Sequence, residues 1–272
     1  MSESSSLIMD VANYLEQGRG ESLETAERQA LTVLTTELIG HLSLTEKAFN
    51  LIGAVVSSLP ELAIQDLSQS RKVATALLIR LSNDLRSAAL VASRGYALQA
   101  ATLVGSMYET AYTIAAIGSD NDLAEQWINH DDPTRTFKQV RDLTREGLAK
   151  LGATDLDAQV ATEYRVYRQL CLAKHVNPLL QTQHGHRIDG QNVVAMNGPD
   201  FSEPAVRVAW FALEHAAGLA FIALASFISN HVPREKMTDL MKETEAIGAG
   251  RKALEASAKA RWGTEDPFPG KW

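Results

Sequence analysis

Residues 97–117, ALQAATLVGSMYETAYTIAAI, decide the fold class, because this long apolar run contains one charged side chain, Glu109. A second run at residues 208–228, VAWFALEHAAGLAFIALASFI, contains one acid, Glu214, followed by His215. Runs of this length predict helices that are buried on nearly all sides. Both are rich in Ala, Gly, Ser and Thr and lack flanking Lys/Arg clusters. We therefore interpret them as core helices rather than membrane spans.

Apolar residues recur at helical spacing along most of the remaining chain. Capping signals at Ser43, Asp132 and Thr154 predict helix starts, and breaks are expected near Gly40 and at Gly95. The longer helices predicted in this way span residues 42–59, 71–94, 96–117, 134–151, 154–175, 203–230 and 233–261.

Composition agrees with a helical protein. Aromatic residues make up 6% of the 272 residues, with 17 Gly and 8 Pro, which disfavours a many-stranded β fold. One cysteine, Cys171, excludes a disulfide framework, and the N-terminus has no secretory signal pattern, so we expect a cytoplasmic protein. The prediction is an all-α, single-domain bundle of about eight to ten helices. It would span residues 21–261, after an N-terminal segment at 1–20 and before an irregular tail at 262–272.

Residues 179–201 form the one long stretch without helical periodicity. A small hairpin is predicted around Asp189 and Gly190. Because the stretch is longer than most connections between packed helices and follows His175 directly, we expect a lid that covers the face of Arg168 and His175. The alternative is a hairpin on the far side that contributes only to dimerisation.

His184 and His186 lie in the same stretch, near Asp189. Two alternate histidines and a carboxylate are compatible with zinc, but no third ligand stands at a recognised spacing. Loop histidines are more often solvated, so we predict no metal site and no cofactor.

Charge is unevenly distributed along the chain. The net charge is -7, yet residues 164–188 contain no Asp or Glu and carry four positive charges, on Arg165, Arg168, Lys174 and Arg187. A basic region in an acidic protein indicates a local anionic partner, such as phosphate or an RNA backbone. The alternative is that these cations pair with acids elsewhere in the fold.

Arg168 and His175 are seven residues apart, so on a helix they share a face about 10.5 Å apart along the axis. Tyr164 and Cys171 fall on the same face. A guanidinium binds phosphate, and an imidazole moves protons at neutral pH. These are functional groups that a ribonuclease uses.

Glu109 and Glu214 stand in the middle of the apolar helices, where an ionised carboxylate is costly unless it is paired. We favour burial against an arginine, with Arg80, Arg86 and Arg168 as candidates, over a pocket acid. Neither glutamate has His three residues on, so a ferritin-like di-iron site is not expected.

Arg168-Gln169 followed by His175 resembles the Arg-polar-x-His signature of the HEPN superfamily, in which four to six residues separate Arg and His. The resemblance implies a small helical bundle that dimerises. It also implies a metal-independent ribonuclease of the kind found in toxin–antitoxin, CRISPR and phage-defence systems.

A second resemblance covers more of the chain. An uncharacterised family of bacterial helical proteins pairs a Gly-x(n)-Leu-x-x-Ser-x-x-Glu helix with a later Tyr-x-x-Leu-(Ser/Cys)-x-x-x-His helix. This chain matches the first pattern at Gly95, Leu103, Ser106 and Glu109, and the second at Tyr167, Leu170, Cys171 and His175. The resemblance implies that Glu109, Tyr167, Arg168 and His175 share one site, and it supplies no established activity.

Together these patterns predict a ribonuclease or an RNA- or nucleotide-binding protein, with a composite site across a homodimer. Arg168 and His175 are the expected catalytic residues. The expected substrate-binding residues are Tyr164, Tyr167, Lys174, Arg187 and Glu109. The alternative is a non-catalytic helical interaction or scaffold protein with a protein partner, in which Arg168 pairs with Glu109 or Glu214 and His175 caps a helix. Neither interpretation involves a membrane.

Overall fold

The computed structural model describes residues 23–60, 63–132, 135–175, 186–189, 192–195, 198–264 and 266–268. In this part of the chain there are nine α-helices and one two-stranded hairpin, which confirms the all-α bundle. In chain order the elements are α1 (Leu23–Glu37), α2 (Ile39–Ser57), α3 (Gln69–Ser93), α4 (Ala97–Ile117), α5 (Asn121–Ile128), α6 (Val140–Lys150), α7 (Leu156–Lys174), β1 (His186–Asp189), β2 (Asn192–Ala195), α8 (Glu203–His231) and α9 (Arg234–Trp262).

The two apolar helices α4 and α8 pack against each other at the centre of the fold. Helix α4 also contacts α3, α6 and α7, whereas α8 also contacts α2, α3 and α9. Most side chains of both helices are buried, because neighbours surround each helix on nearly every side. This arrangement explains why their sequences lack a polar face.

Helix α8 is long and apolar enough to cross a bilayer, the one such helix in the described ranges. Within the fold, 83% of its most apolar stretch is buried against protein. Packing inside the bundle therefore accounts for its apolar sequence.

Ser43 does not start a helix, contrary to the capping prediction. Helix α2 already begins at Ile39, one residue after the break at Leu38. Leu38 is fully buried, and the chain keeps helical hydrogen bonds on both sides of it, from Leu38 N to Leu34 O (2.8 Å) and from Leu42 N to Leu38 O (2.9 Å). Core packing of Leu38 thus carries the chain from α1 into α2 without a polar cap.

The predicted start of α6 at residue 134 is also wrong, because the helix begins at Val140. Before it, the Thr136 hydroxyl donates to the carbonyl of Lys138, and a side-chain bond of this kind competes with helix formation. The cap of α7 is one residue later than predicted, and the helix begins at Leu156. Asp155, not Thr154, is the cap, and its carboxylate accepts from Ala158 N at 3.3 Å.

The predicted break at Gly95 is confirmed, and two features require glycine there. Its φ of 90° lies in the left-handed region. A Cβ at this position would lie 2.6 Å from Cβ of Pro199, and the Gly95 carbonyl accepts from Asp200 N at 2.8 Å. The turn between α3 and α4 therefore also anchors the chain that leads into α8.

The hairpin predicted around Asp189 and Gly190 is confirmed at the level of the backbone. Strands β1 and β2 pair antiparallel, and Asp189 opposite Asn192 is their last pair before the turn. The lid prediction depends on residues 176–185, including His184, and on the His186 side chain, which lie outside the described part of the chain. The same holds for the N-terminal segment 1–20.

The described residues of the C-terminal tail, 263–264 and 266–268, are non-helical and packed on the bundle, whereas Trp262 still belongs to the helix. Helix α9 ends at Trp262, and Gly263 follows with φ of 77°. Phe268 is 2% exposed and meets the Phe211 ring edge-on, with ring centroids 5.5 Å apart. A buried aromatic side chain thus anchors the tail on α8.

Candidate functional site

Helix α7 packs along the side of the central helix α4 that carries Thr102, Gly105 and Glu109. Thr102 of α4 donates to the Ala173 carbonyl of α7 at 3.1 Å, and Gly105 lies directly beneath Leu170. One turn further along α4 is Glu109. Because the residues between the larger side chains are small, α7 approaches closely enough for its own polar groups to reach this glutamate.

Glu109 binds two of the predicted site residues through one oxygen. Its Oε1 accepts hydrogen bonds of 2.8 Å from the Tyr167 hydroxyl and of 2.8 Å from Lys174 Nζ. The side chains of Lys174 and Glu109 are 33% and 22% exposed, so this ion pair lies at the edge of the core. Burial, and then the bond to Glu109, raise the pKa of Tyr167 well above its usual value. Tyr167 therefore stays protonated and acts as a donor.

Four tyrosines form a row from the core toward the surface of α7. Ring centroids are 4.6 Å apart for Tyr112 and Tyr108, 4.9 Å for Tyr108 and Tyr167, and 5.9 Å for Tyr167 and Tyr164. Tyr112 is fully buried, whereas Tyr164 is half-buried, with the Arg141 guanidinium 6.0 Å from its ring centroid. Of Tyr164 and Tyr167, the two tyrosines predicted to bind substrate, Tyr164 thus occupies the outer position.

Arg168 and His175 are both exposed on the C-terminal half of α7. Helix α7 ends at Lys174, and the His175 backbone is extended, with φ of -103° and ψ of 143°. That the two side chains share a face stays a prediction. His175 N still donates to the Cys171 carbonyl at 2.9 Å. His175 is therefore the C-terminal cap of α7.

The structure brings the predicted site residues together only in part. Glu109, Tyr167 and Lys174 are in direct contact, and the Tyr164 ring adjoins Tyr167. Arg187 lies in β1, and the position of its side chain is outside the described residues.

Sequence reasoning missed two neighbours of this site. Arg141 of α6 lies over Tyr164, and no spacing signal links the two positions. Cys171 was placed on the Arg168 face, but its contact with Tyr167 was not foreseen. Burial raises the pKa of the Cys171 thiol, although Tyr167 and Lys174 oppose the change. Cys171 is thus a protonated thiol and not an activated nucleophile.

The second core acid, Glu214 of α8, is paired with an arginine that the sequence analysis did not name. Arg251 of α9 donates from Nε to Glu214 Oε1 at 3.2 Å. A Cβ at Gly218 would lie 2.9 Å from Arg251 Cδ, so the absence of a side chain there lets the arginine lie across α8. Burial raises the pKa of Glu214 to about 7, although the Arg251 charge opposes the change.

Arg80, one of the arginines predicted as partners for the core acids, has other contacts. Arg80 donates to the Ser106 hydroxyl at 3.1 Å and lies 3.8 Å from an oxygen of Asp84. The pairings that the structure gives are therefore Glu109 with Lys174 and Glu214 with Arg251. The prediction of burial against an arginine is confirmed for Glu214, although with Arg251, whereas Glu109 is part-buried and pairs with a lysine.

Beside Glu214, His215 binds the backbone of its own helix. Its Nδ1 lies 2.8 Å from the Phe211 carbonyl oxygen, and burial lowers the pKa of His215 to about 4. Within the described ranges no three His, Cys, Asp or Glu side chains are grouped so that they could hold a metal ion.

Comparison of this chain with known protein families, with curated proteins and with solved structures finds no match. Any function must therefore be argued from the geometry of its own residues.

Proposed function

We propose that the exposed C-terminal half of α7 binds RNA, and that Arg168 and His175 cleave it without a metal ion. The observation that carries the proposal is the exposure of Arg165, Arg168 and His175 on a helix segment that contains no acid from Tyr164 onward. Exposed guanidinium groups suit phosphate recognition.

In the proposed reaction, Arg168 holds the scissile phosphate and neutral His175 removes the proton from the ribose 2′-hydroxyl. The 2′-oxygen then attacks phosphorus, and the bond to the 5′-oxygen breaks. The products are a 2′,3′-cyclic phosphate and a 5′-hydroxyl. The leaving oxygen takes a proton from a second, protonated imidazole, which a composite site built from two copies of the chain supplies.

Glu109, Tyr167 and Lys174 have a positioning role in this proposal. Because Glu109 binds both side chains, the last turn of α7 is held on α4 beside the exposed Arg168. Tyr164, the outermost ring of the tyrosine row, is the residue assigned to stack on an RNA base.

The alternative is a non-catalytic interaction protein in which this region is structural. The observation that favours it is the same Glu109 network, since two predicted substrate-binding residues already have a protein partner. The two functions predict different effects of replacing Arg168 and His175 on RNA binding and RNA cleavage.

The test incubates the purified protein with single-stranded RNA in the presence of EDTA. Cleavage that leaves 2′,3′-cyclic phosphate ends is expected for the wild type and is expected to be lost in His175→Ala. Arg168→Ala should weaken RNA binding, measured by fluorescence anisotropy.

The charge-matched control is Arg28→Ala, because Arg28 is exposed on α1 and forms its ion pair with Glu24 of the same helix. Cleavage that persists in His175→Ala would overturn the catalytic assignment, and binding without cleavage would favour the non-catalytic alternative.

A further inference from the structure

A cavity of about 270 Å³ lies between α8, α9 and the C-terminal tail, separate from the α7 residues discussed above. Three aromatic side chains contribute to its walls, Trp210 and Phe211 from α8 and Trp262 from α9. Its volume is close to the lower end of the range for small-molecule sites, and such sites combine aromatic side chains with polar groups that orient the ligand.

The C-terminal tail forms one side of the cavity. Three described residues of the tail, Thr264, Asp266 and Pro267, line it after Gly263. Phe268 fixes this path by packing against Phe211. The cavity thus has a built wall on the tail side as well as on the two helices.

The most buried charged group in the wall is the carboxylate of Glu214, whose side chain is 8% exposed. Its bond from Arg251 Nε uses one of its oxygens, Oε1. Two further carboxylates, Glu255 and Asp266, line the same cavity. Two cationic residues, Arg207 and Lys259, line it as well, so acids outnumber bases in the wall and an acid is the innermost charge.

The two indole rings of the wall already bind a cation of the protein itself. The Arg261 guanidinium lies 4.6 Å from the Trp262 ring centroid and 5.5 Å from that of Trp210. Trp262 Nε1 donates to Glu203 at 2.6 Å, and Trp210 Nε1 donates to the Glu37 carbonyl at 3.1 Å. With both indole N–H groups satisfied and Arg261 over both rings, what the rings offer a ligand is carbon surface.

We propose that this cavity binds a small organic cation, an ammonium group carried on an aromatic or otherwise apolar body. The ammonium group pairs with Glu214, and the apolar body packs against Trp210, Phe211 and Trp262. An apolar anion of the same shape is expected to bind more weakly, because its carboxylate would face that of Glu214.

The probes are three phenyl compounds of similar size, namely cationic phenethylamine, neutral 2-phenylethanol and anionic 3-phenylpropionate. Binding is measured by calorimetry and by the rise in the melting temperature of the full-length protein at mildly alkaline pH. Phenethylamine is expected to bind at least tenfold more tightly than either of the other two. Equal or tighter binding of 3-phenylpropionate, or no binding of phenethylamine at millimolar concentration, would overturn the proposal.

Two variants test the location of the site. Glu214→Gln keeps the shape of the side chain and is expected to weaken phenethylamine binding at least tenfold. Ala258→Phe fills the cavity from α9 and is expected to abolish binding of all three probes. Glu245→Gln, an exposed acid of α9 away from the cavity, is the charge-matched control. Circular dichroism verifies that each variant is folded, and unchanged binding in a folded Glu214→Gln variant contradicts the assignment.

Discussion

The Tyr167 hydroxyl donates a 2.8 Å hydrogen bond to Oε1 of Glu109 and so joins α7 to the central helix α4. Lys174 donates to the same oxygen at the same distance. One carboxylate therefore holds the C-terminal part of α7, the segment that also presents Arg168 and His175 to solvent. Any function of those two residues depends on how firmly this contact fixes the helix.

Tyr167→Phe is expected to lower the free energy of unfolding by about 1 kcal/mol, because it removes one hydrogen bond and leaves the ring packing intact. Urea denaturation measures the change. Tyr164→Phe is the matched control, since the structure gives its hydroxyl no hydrogen-bond partner in the described part of the chain, and we expect a change below about 0.5 kcal/mol. Equal effects of the two substitutions would show that the Glu109 contact does not stabilise the packing of α7 on α4.

The fold class could be predicted from sequence because α4 and α8 are apolar on all sides and long. Helix starts were less predictable. At Ser43 a local capping pattern was present, but burial of Leu38 let the chain continue through it. Capping signals report a local preference of up to about 2 kcal/mol, which core packing readily outweighs.

The site could be predicted only in part, because its contacts join residues far apart in the chain. Glu109 and Tyr167 are 58 positions apart, and the resemblance, not any spacing, suggested that they meet. For Glu214 the sequence indicated that a basic partner was needed. It could not select Arg251, because that choice depends on the close approach of α9 to Gly218.

Gly147→Ala is expected to destabilise the protein by about 1–2 kcal/mol, because α6 packs tightly on α4 at this position. The added Cβ would lie 2.9 Å from Cβ of Ala115 and 3.2 Å from Tyr112 Cδ1, so the helices would have to move apart. Gly53→Ala in α2 is the matched substitution at an exposed site with no atom within 4 Å, and there we expect stabilisation of up to about 1 kcal/mol. Thermal melts compare the two variants, and a shift of the same sign in both would contradict the tight contact.

Glu214→Gln is expected to change how stability depends on pH. The folded-state pKa of Glu214, about 7, lies above the ordinary value of 4.5, so the folded protein holds a proton that the unfolded chain releases between these values. The contribution of Glu214 to stability is therefore present in acid and is lost as the pH rises from about 4.5 to about 7. The difference corresponds to about 3 kcal/mol at most.

Chemical denaturation of wild type and Glu214→Gln across this pH range measures the effect. Arg251 and Glu255, the charged neighbours of Glu214 on α9, are present in both proteins. Their own effects on stability therefore enter both pH profiles. The variant should gain stability relative to the wild type as the pH rises. A constant difference between the two proteins would show that Glu214 does not titrate in this range.

His41→Leu is expected to reduce the loss of stability in acid. His41 is 2% exposed beside the Trp210 ring, its Nε2 has no hydrogen-bond partner in the described structure, and burial lowers its pKa from 6.5 to about 4. The unfolded chain therefore takes up a proton that the folded protein does not bind, and stability is lost as the pH falls from about 6.5 to about 4.

The leucine side chain of His41→Leu binds no proton and leaves no buried nitrogen without a hydrogen-bond partner, so the stability of the variant should match or exceed that of the wild type at neutral pH. Its advantage should then grow toward acid by up to about 3 kcal/mol. The measurement is the free energy of unfolding of both proteins at several pH values. A constant difference between the two proteins would mean that His41 is protonated equally in the folded and unfolded states, which would contradict the prediction.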